Sequence, residues 1–461
     1  MDPVIQLLYL VAGVLFILAL MWMSHPSTSR RGVMAGQIGM LLAIVGTLLI
    51  ANVVNYELIF VALLVGSAIG APLALLMPMT AIPQRTALSH AFGALAIGLI
   101  GTVEYYKIAQ LAPYGLSFAM IALIAEMLLG FLTFTASLFA FAKLQELVTG
   151  RPIILPGQQW MNLALFIGAI GTGVALVLHP EQTVLFPIFV AIALAFGLAL
   201  VAPIGGADMP TVIALLNSYA GLAASAMGFA LDNKLLIVTG ALDGASGFVL
   251  AVIMCRAMNR SFANVLFGGF GQVQHVGGPG EQRPVHSASP EEAASILESA
   301  SSVVIVPGYG MAVSQAQHRV NDLFQQLTKR GVDVKFAIHP VAGRMPGHMN
   351  VLLAEADIPY DCLAEMEDIN GELPQTDVAL VIGANDVVNP SARDDPKSSI
   401  GGMPIIEVDR ARTVMVVKRS MNPGFAGIDN ELYYLPKTQM LFGDAKEFIG
   451  ALAKEIAALN A

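Results

Sequence analysis

The sequence predicts a multi-span α-helical membrane bundle of about nine helices, followed by an α/β Rossmann-like domain with a parallel sheet. Of the 461 residues, 56% are hydrophobic and only 12% are charged, which lies outside the range of soluble globular proteins. Long apolar stretches fill the chain up to about residue 260, and short apolar runs alternate with amphipathic segments near its end. We therefore divide the chain into a transmembrane domain at 1–260, a linker at 261–290 and a soluble domain at 291–461.

The first domain contains stretches that are long and apolar enough to cross a bilayer, which takes about 20 residues. We predict spans at 4–23, 33–51, 57–77, 86–103, 117–142, 160–179, 183–203, 211–231 and 235–257. If the N-terminus is outside, the inner loops carry most of the basic residues, namely Arg30, Arg31, Arg85, Lys143, Arg151, Arg256 and Arg260, and the outer loops carry only Lys107 and Lys234. The positive-inside rule favours this arrangement and places the soluble domain in the cytoplasm.

The linker is rich in glycine and proline, as in GGFGQVQHVGGPGEQRPVHSASP at 268–290. After it, short apolar runs predict buried parallel strands: SVVIVPG, VDVKFAIHP, DVALVIGAND, MPIIEV and TVMVVKRS. Helices are predicted between or after them at 312–330, 347–357 and 443–459. This alternation predicts a doubly wound sheet that binds its ligand at the carboxyl edge. The net charge of −9 gives no support to nucleic-acid binding, and no metal site is predicted.

The first predicted strand ends in a glycine-rich turn, GYGMAV, which runs from Gly308 through Tyr309, Gly310, Met311 and Ala312 to Val313. Glycines between a strand and a helix allow a tight turn and the close approach of a pyrophosphate to helix N–H groups. Val313 stands where the usual fingerprint has a third glycine. On its own the motif is weak, but its position between a strand and a helix predicts a dinucleotide site.

The identity of the dinucleotide depends on the ribose 2′ position. NAD sites place a carboxylate at the end of the second strand, but here that strand ends in Ile338-His339-Pro340. A later strand ends in Lys418, Arg419 and Ser420, which suit a 2′-phosphate and favour NADP(H). The alternative is a solvated basic pair at a strand end.

Two further loops leave strand ends towards the same edge. HPVAGRMPGHMN offers Arg344 for a phosphate or a closing lid, and GANDVVNP starts at Gly383 and presents Asn385 and Asp386 where a nicotinamide would lie. Asp386 could equally cap a turn.

Polar side chains within the predicted spans are functional candidates because a charge in hydrocarbon is costly. His90 can carry a proton near neutral pH, and Ser137 and Asn217 could hydrogen-bond water beside it. The alternative for His90 is a hydrogen bond between helices. Glu126 and Asp243 also lie within spans. Asp208, in the inner loop PIGGADMP, is a candidate contact with the soluble domain.

Several long motifs in the same order resemble the β subunit of proton-translocating NAD(P) transhydrogenases. These are GYGMAVSQAQ, HPVAGRMPGHMN, GANDVVNP and KRSMNPGFAGIDN in the soluble domain, and MPTVIALLNSYAGLA with IMCRAMNRSF in the membrane domain. The resemblance covers essentially the whole chain. It implies NADP(H) on the soluble domain, NAD(H) on a separate α subunit, and direct hydride transfer coupled to proton movement. It also implies two copies of each subunit in a bacterial inner membrane.

The resemblance also assigns site residues. His90, Ser137 and Asn217 match the family's proton path, and Gly308–Val313, Arg344, Asn385, Asp386, Lys418, Arg419 and the loop Gly424, Phe425, Ala426, Gly427 match its nucleotide contacts. Two residues depart from the family's pattern. Phe425 stands where we expect tyrosine, and Asp243 stands where we expect an apolar residue of the ninth span.

Two other functions fit parts of the sequence. A transporter or channel whose cytosolic domain only senses NADP(H) would need no NAD-binding partner. A membrane reductase that passes electrons to quinone or haem is disfavoured, because the sequence shows neither paired histidines for haem nor a flavin site.

Overall fold

The structure, a computed structural model, describes residues 3–24, 28–50, 55–111, 118–149, 152–205, 208–258, 262, 283–345, 347–396, 398, 400–424 and 426–459. Within these ranges the first domain consists of nine apolar helices. They are α1 (Pro3–Met23), α2 (Ser29–Leu48), α3 (Tyr56–Leu76), α4 (Ile82–Leu111), α5 (Phe118–Leu144), α6 (Gln158–Leu178), α7 (Leu185–Val201), α8 (Met209–Ala230) and α9 (Lys234–Ala257). Eight of them are long enough to cross a bilayer, and α7 is shorter, with 17 residues. The predicted bundle is confirmed.

Small residues set the spacing of the bundle helices. Gly197 of α7 packs so closely on α5 that a Cβ there would lie 2.2 Å from the carbonyl oxygen of Leu132. Gly130 of α5 meets the α4 backbone in the same way, with an added Cβ 3.1 Å from the carbonyl oxygen of Ala94. In lipid, where there is no hydrophobic drive between helices, such backbone contact supplies the packing energy. The buried helix α5 therefore forms the centre of the bundle.

The second domain is built on a parallel sheet of seven strands in the described residues. The strands are β1 (His286–Ser287), β2 (Ser302–Pro307), β3 (Asp333–Ile338), β4 (Leu363–Glu365), β5 (Val378–Ile382), β6 (Thr413–Lys418) and β7 (Thr438–Phe442). Their order is β1-β7-β6-β5-β2-β3-β4. The chain winds outward from β2 in both directions, so the topological switch point lies between β2 and β5. This confirms the predicted Rossmann-like domain.

Helices cover both faces of the sheet. They are α10 (Pro290–Glu298), α11 (Tyr309–Val313), α12 (Gln317–Lys329), α13 (His348–Glu355), α14 (Met366–Glu372), α15 (Ser391–Asp394) and α16 (Ala445–Ala458). A capping box between Ser289 and Glu292 starts α10, and the Asp444 side chain caps α16. One apolar core lies on each face of the sheet.

Three local predictions need correction. MPIIEV is not a strand, because Ile406 donates to the carbonyl of Val387 in a loop and the Asn370 side chain holds the backbone of Ile405 and Glu407. The helix predicted at 312–330 is split into α11 and α12 at Gln315, whose φ is 51°. Strands β1, β4 and β7 were not predicted. Strand β1 pairs with β7, so the sheet begins before residue 291. The predicted linker otherwise lies largely outside the described residues.

Candidate functional site

The predicted nucleotide turn lies at the switch point of the sheet. Gly308 follows β2 and donates its N–H to the carbonyl of Ile382, at the end of β5, over 2.9 Å. Gly310 donates to the carbonyl of Gly383 over the same distance. The loops after β2 and β5 therefore form one unit at the edge where doubly wound sheets bind ligands.

Glycine is required where these two loops touch. A Cβ on Gly310 would lie 2.7 Å from the Cα of Gly383, and a Cβ on Gly308 would lie 2.4 Å from the Cα of Ala384. Gly383 itself has a φ of +67°, which side chains rarely adopt. Since the obstructing atoms are backbone, they cannot rotate away. The loops therefore form a smooth backbone cradle.

Asn385 is held at the base of this cradle by a polar network. Its Oδ1 accepts hydrogen bonds from the Tyr433 hydroxyl at 2.6 Å and from the Asn430 amide at 3.0 Å. Tyr433 and Asn430 are buried, and burial raises the pKa of the Tyr433 hydroxyl, so it remains a neutral donor. This network fixes the orientation of the Asn385 side chain.

A third loop, after β6, closes the cradle. Gly424 lies so near Asn385 and Asp386 that a Cβ there would be 2.5 Å from Nδ2 of Asn385. The Asp386 carboxylate accepts the N–H of Ala426 at 3.0 Å, and Gly427 has a φ of +71°. Phe425 lies outside the described residues. Loops from three neighbouring strands thus converge on one pair of residues, Asn385 and Asp386.

The cradle has the properties that a dinucleotide needs. Nδ2 of Asn385 is buried and has no hydrogen-bond acceptor in the part of the chain that the structure describes. A buried donor without a partner is costly, and a ligand oxygen would satisfy it. The glycines let the loops after β2, β5 and β6 pack against one another without side chains between them. The residues present therefore fit a dinucleotide at this edge.

The basic residues predicted for a 2′-phosphate lie at the end of β6. Lys418 donates to the carbonyl of Asn422 at 2.7 Å, and Ser420 accepts the Asn422 N–H at 3.4 Å. Burial lowers the pKa of Lys418, and the carboxylates of Asp386 and Asp429 oppose that shift. Arg419 forms an exposed ion pair with Asp444 at 3.2 Å. A phosphate dianion placed here would pair with the Lys418 ammonium group and would compete with Asp444 for Arg419.

Arg344 faces the membrane domain. Its guanidinium donates to the carbonyl of Leu144, the last residue of α5, at 2.6 Å, and pairs with Glu146 at 3.4 Å. It also stacks over the Tyr309 ring, with 4.3 Å between Cζ and the ring centroid. The structure therefore joins the nucleotide turn to α5 through Arg344. A cavity of about 280 Å³ lies at this junction, and its lining includes Gln84, Glu146, Tyr309, Val313 and Arg344.

Two buried histidines support the loops on this side of the sheet. His339 lies 2.8 Å from the carbonyl of Pro404 through Nε2, and Nδ1 of His348 accepts the N–H of Arg344 at 3.1 Å. Burial lowers the pKa of each from 6.5 to about 4, and the Arg344 charge adds to the effect on His348. Both imidazoles are therefore neutral at physiological pH.

This arrangement predicts acid sensitivity of the soluble domain. In the unfolded chain both histidines take up protons near pH 6.5, whereas in the folded domain they stay neutral down to about pH 4. Folding stability is therefore full above pH 6.5 and falls between pH 6.5 and 4, by at most about 3 kcal/mol for each histidine. Limited proteolysis of the full chain during thermal unfolding measures the loss. Replacing His339 with glutamine should flatten the pH dependence. The same change at the exposed His318 should leave it as in wild type.

The polar residues of the bundle lie on four neighbouring helices. His90 on α4 has a buried Nδ1 without a hydrogen-bond partner among the described residues, and the same is true of the Ser137 hydroxyl on α5. Asn217 on α8 donates from Nδ2 to the Asp243 carboxylate of α9 at 3.2 Å. Asn217 and Asp243 both lie near the His90 ring. The structure thus brings together His90, Asn217 and Asp243.

Two other acidic candidates are separate from this group. Both carboxylate oxygens of Glu126 are buried on α5 without a hydrogen bond from any described residue, against Gly101 of α4. Asp208 is buried at the start of α8, close to Cys255 near the end of α9. Its role as a contact between the domains stays a prediction.

Sequence reasoning missed several residues that shape the site. The Asn385 side chain is oriented by Asn430 and Tyr433, which lie more than forty residues further along the chain. The Arg344 guanidinium donates hydrogen bonds to Leu144 and Glu146. The fixed orientation of Asn385 depends on tertiary contacts with residues that belong to no recognisable sequence motif of their own. No local pattern marks such residues.

Comparison with known proteins gives concordant results over nearly the whole chain. A family model described as NAD(P) transhydrogenase beta subunit matches residues 5–455. A protein named NAD(P) transhydrogenase subunit beta from Rhodospirillum rubrum is 48% identical over 447 residues, which cover 95% of this chain and 96% of the relative. The protein of that name from a designated strain of the same species gives the same values. The matched region includes both the bundle and the sheet domain.

Proposed function

The chain belongs to the family of NAD(P) transhydrogenase beta subunits, and from this premise we propose that its soluble domain binds NADP(H) and exchanges hydride with NAD(H) held by a partner α subunit. The hydride transfer is coupled to proton movement through the membrane bundle. The protein is thus the NADP(H)-binding and proton-conducting half of an oxidoreductase.

One observation carries the proposal: a backbone cradle and a polar cluster within the spans occur in the same chain. The cradle is formed where Gly308 and Gly310 contact the loop after β5, and the buried Asn385 amide lies at its base. The cluster consists of His90, Asn217 and Asp243. An ionisable cluster inside hydrocarbon indicates an ion path, and here the same chain carries both this cluster and the nucleotide cradle.

The chemistry suits the residues that are present. The nicotinamides supply the hydride donor and acceptor, so the protein has to hold the ring and exclude water. Asn385 and Asp386 lie at the carboxyl edge, where they would orient the nicotinamide amide. Gly308 and Gly310 would let the pyrophosphate approach the backbone, and Lys418, Arg419 and Ser420 would hold the 2′-phosphate.

Coupling between the domains would run through α5. Ser137 lies on this helix within the bundle, and the carbonyl of Leu144 at its end accepts the hydrogen bond from Arg344. Protonation near His90 would alter the packing of α4 and α8 on α5. We propose that this change in packing alters the hydrogen bond between Leu144 and Arg344 and the contact at Asp208. The soluble domain would then switch between a state that traps nucleotide and a state that exchanges it.

The partners and location follow from the same proposal. The assembly would contain two α and two β subunits in a bacterial inner membrane, with lipid around the bundle. The soluble domain meets the bundle where the α3–α4 and α5–α6 connections emerge. Those connections include or adjoin Arg85 and Lys143, which supports a cytoplasmic position for this domain.

Replacement of Lys418 with alanine tests the cofactor assignment. We expect NADP(H) affinity to fall about tenfold to a hundredfold, because a charge-assisted contact with the 2′-phosphate is lost. Affinity for a dinucleotide without that phosphate should stay unchanged. Calorimetric titration of the full chain measures both. Lys454→Ala, on the exposed side of α16, is the matched control and should bind as wild type. Equal loss of affinity for both dinucleotides would contradict the assignment.

Isotope transfer tests the proposed reaction. Membranes that contain this chain and its partner receive NADP⁺ and NADH that carries deuterium at the transferred position of C4. Direct transfer predicts deuterium in the NADPH, with none exchanged into water. Label that appears in water, or no NADPH despite tight NADP⁺ binding, would contradict the proposal and favour a domain that only senses the nucleotide.

A further inference from the structure

A carboxylate lies in the middle of an apolar span. Asp243 is the only acidic residue of α9 and lies about 14 Å from the first residue of that helix. Its side chain is exposed on the surface of the single chain. An isolated carboxylate at this depth is costly in hydrocarbon, so it needs partners in the bundle. The role of Asp243 therefore depends on which side chains of the bundle lie beside it.

The packing of α8 on α9 holds Asp243 beside Asn217. A Cβ on Gly221 would lie 2.2 Å from the backbone nitrogen of Gly244, and a Cβ on Gly247 would lie 2.9 Å from Nδ2 of Asn217. The two helices thus touch directly after the acidic residue. Nδ2 of Asn217 lies 3.2 Å from Oδ1 of Asp243 and 3.4 Å from its carbonyl oxygen. This geometry fixes the carboxylate on the α8 side of α9.

Asn217 connects the carboxylate to the imidazole of His90. The Asn217 side chain lies next to the His90 ring, and the Asp243 carboxylate lies near the same ring. Helices α4, α8 and α9 therefore contribute one residue each to a single polar cluster, which we call the His90 cluster.

Other titratable side chains of the helices around this cluster have contacts elsewhere. On α5, Lys143 donates to the carbonyls of Ala202 and Ile204, and Glu126 lies against Gly101, about 16 Å along α4 from His90. The remaining ones in the described parts of these helices and of α1 lie near helix ends or in apolar packing: Tyr9, Arg85, Glu104, Tyr105, Tyr106, Lys107, Tyr219, Lys234, Cys255 and Arg256. Asp243 is thus the acidic partner of His90.

We propose that Asp243 is a proton-site residue, which shares the translocated proton with His90 through the Asn217 contact. This inference rests on the proposed proton coupling. A histidine alone changes from neutral to a cation when it takes up a proton. With Asp243 ionised beside it, the cluster changes from one negative charge to zero net charge. The loaded state is then a neutral pair, which is far less costly inside a bundle than a lone cation.

The test uses the full chain with its partner in inverted vesicles. Gradient-driven NADPH formation and proton uptake are followed as a function of pH for wild type and for Asp243→Asn. Without the carboxylate, the cluster loads only at higher proton concentration. The pH at which both rates fall to half on the alkaline side should therefore be lower by about one unit. Asp243→Glu should restore the wild-type profile, because the charge is returned.

Asp232→Asn is the matched control. Asp232 lies in the turn between α8 and α9 with a φ of 49°, a conformation that asparagine also tolerates, and its profile should equal that of wild type. If Asp243→Asn fails to assemble, Asp243→Val carries the same prediction, because an apolar side chain suits an exposed site in hydrocarbon.

Superimposable profiles for wild type and the variants without the carboxylate would overturn the inference. Wild-type vesicles are measured first, and if they form no NADPH, the proposed function fails together with the inference that rests on it. Normal wild-type activity with an unshifted variant profile refutes the role of Asp243 alone.

Discussion

Replacing His90 with alanine is expected to lower proton-coupled transhydrogenation about a hundredfold or more. In the described spans His90 is the only histidine, and imidazole is the side chain whose ordinary pKa lies nearest neutral pH. Loss of a positioned proton carrier typically costs at least that factor. NADPH formation in inverted vesicles, with a pH-sensitive dye for proton uptake, measures hydride transfer and proton movement together.

His179→Ala provides the control for this change. His179 follows α6 in an exposed loop, where it pairs with Glu181 at 3.3 Å, and its loss should leave both rates unchanged. NADP(H) binding of the His90→Ala protein verifies that the soluble domain is folded. A folded His90→Ala protein that moves protons at the wild-type rate would contradict the proposed path.

Replacing Gly310 with alanine is expected to weaken NADP(H) binding about a hundredfold. The added Cβ would lie 2.7 Å from the Cα of Gly383, and neither backbone can give way without opening the cradle. Overpacking of this kind costs about 1–3 kcal/mol and displaces the loop that holds Asn385. Titration of the full chain with NADP⁺ measures the affinity, and the rate of hydride transfer should fall with it.

Gly371→Ala is the matched substitution for this experiment. Gly371 lies on α14 with no atom within 4 Å of an added Cβ, so alanine there should bind NADP(H) as wild type does. Wild-type affinity in the Gly310→Ala protein would show that the nucleotide does not use this cradle.

The sequence predicted the spans well because a bilayer imposes one strong requirement, a long apolar run, which needs no tertiary information. The strands were harder to predict. MPIIEV has the composition of a buried strand, yet it lies in a loop whose backbone bonds to Asn370 and Val387. Strand β4 has only three residues and β7 only five, so neither contains a long apolar run. Their pairing depends on distant partners, which local propensity does not encode.

The candidate site was only partly visible in the sequence. Glycines after β2 and the residues after β5 could be assigned to one edge, because parallel strands place their carboxyl ends together. The contact of Arg344 with Leu144 could not be predicted, since the two residues come from different domains. Likewise, Asp243 was noticed as a departure from an apolar pattern. Only the packing of α8 on α9 shows that Asn217 is its partner.

The central claim is that one chain couples hydride exchange at the cradle to proton movement through the His90 cluster. The most direct measurement is NADPH formation from NADH and NADP⁺ in inverted vesicles that contain the chain and its partner, with and without an imposed proton gradient. The account predicts a rate that rises with the gradient and vanishes without the partner. Verified assembly and tight NADP⁺ binding without hydride transfer, or a rate indifferent to the gradient, would contradict it.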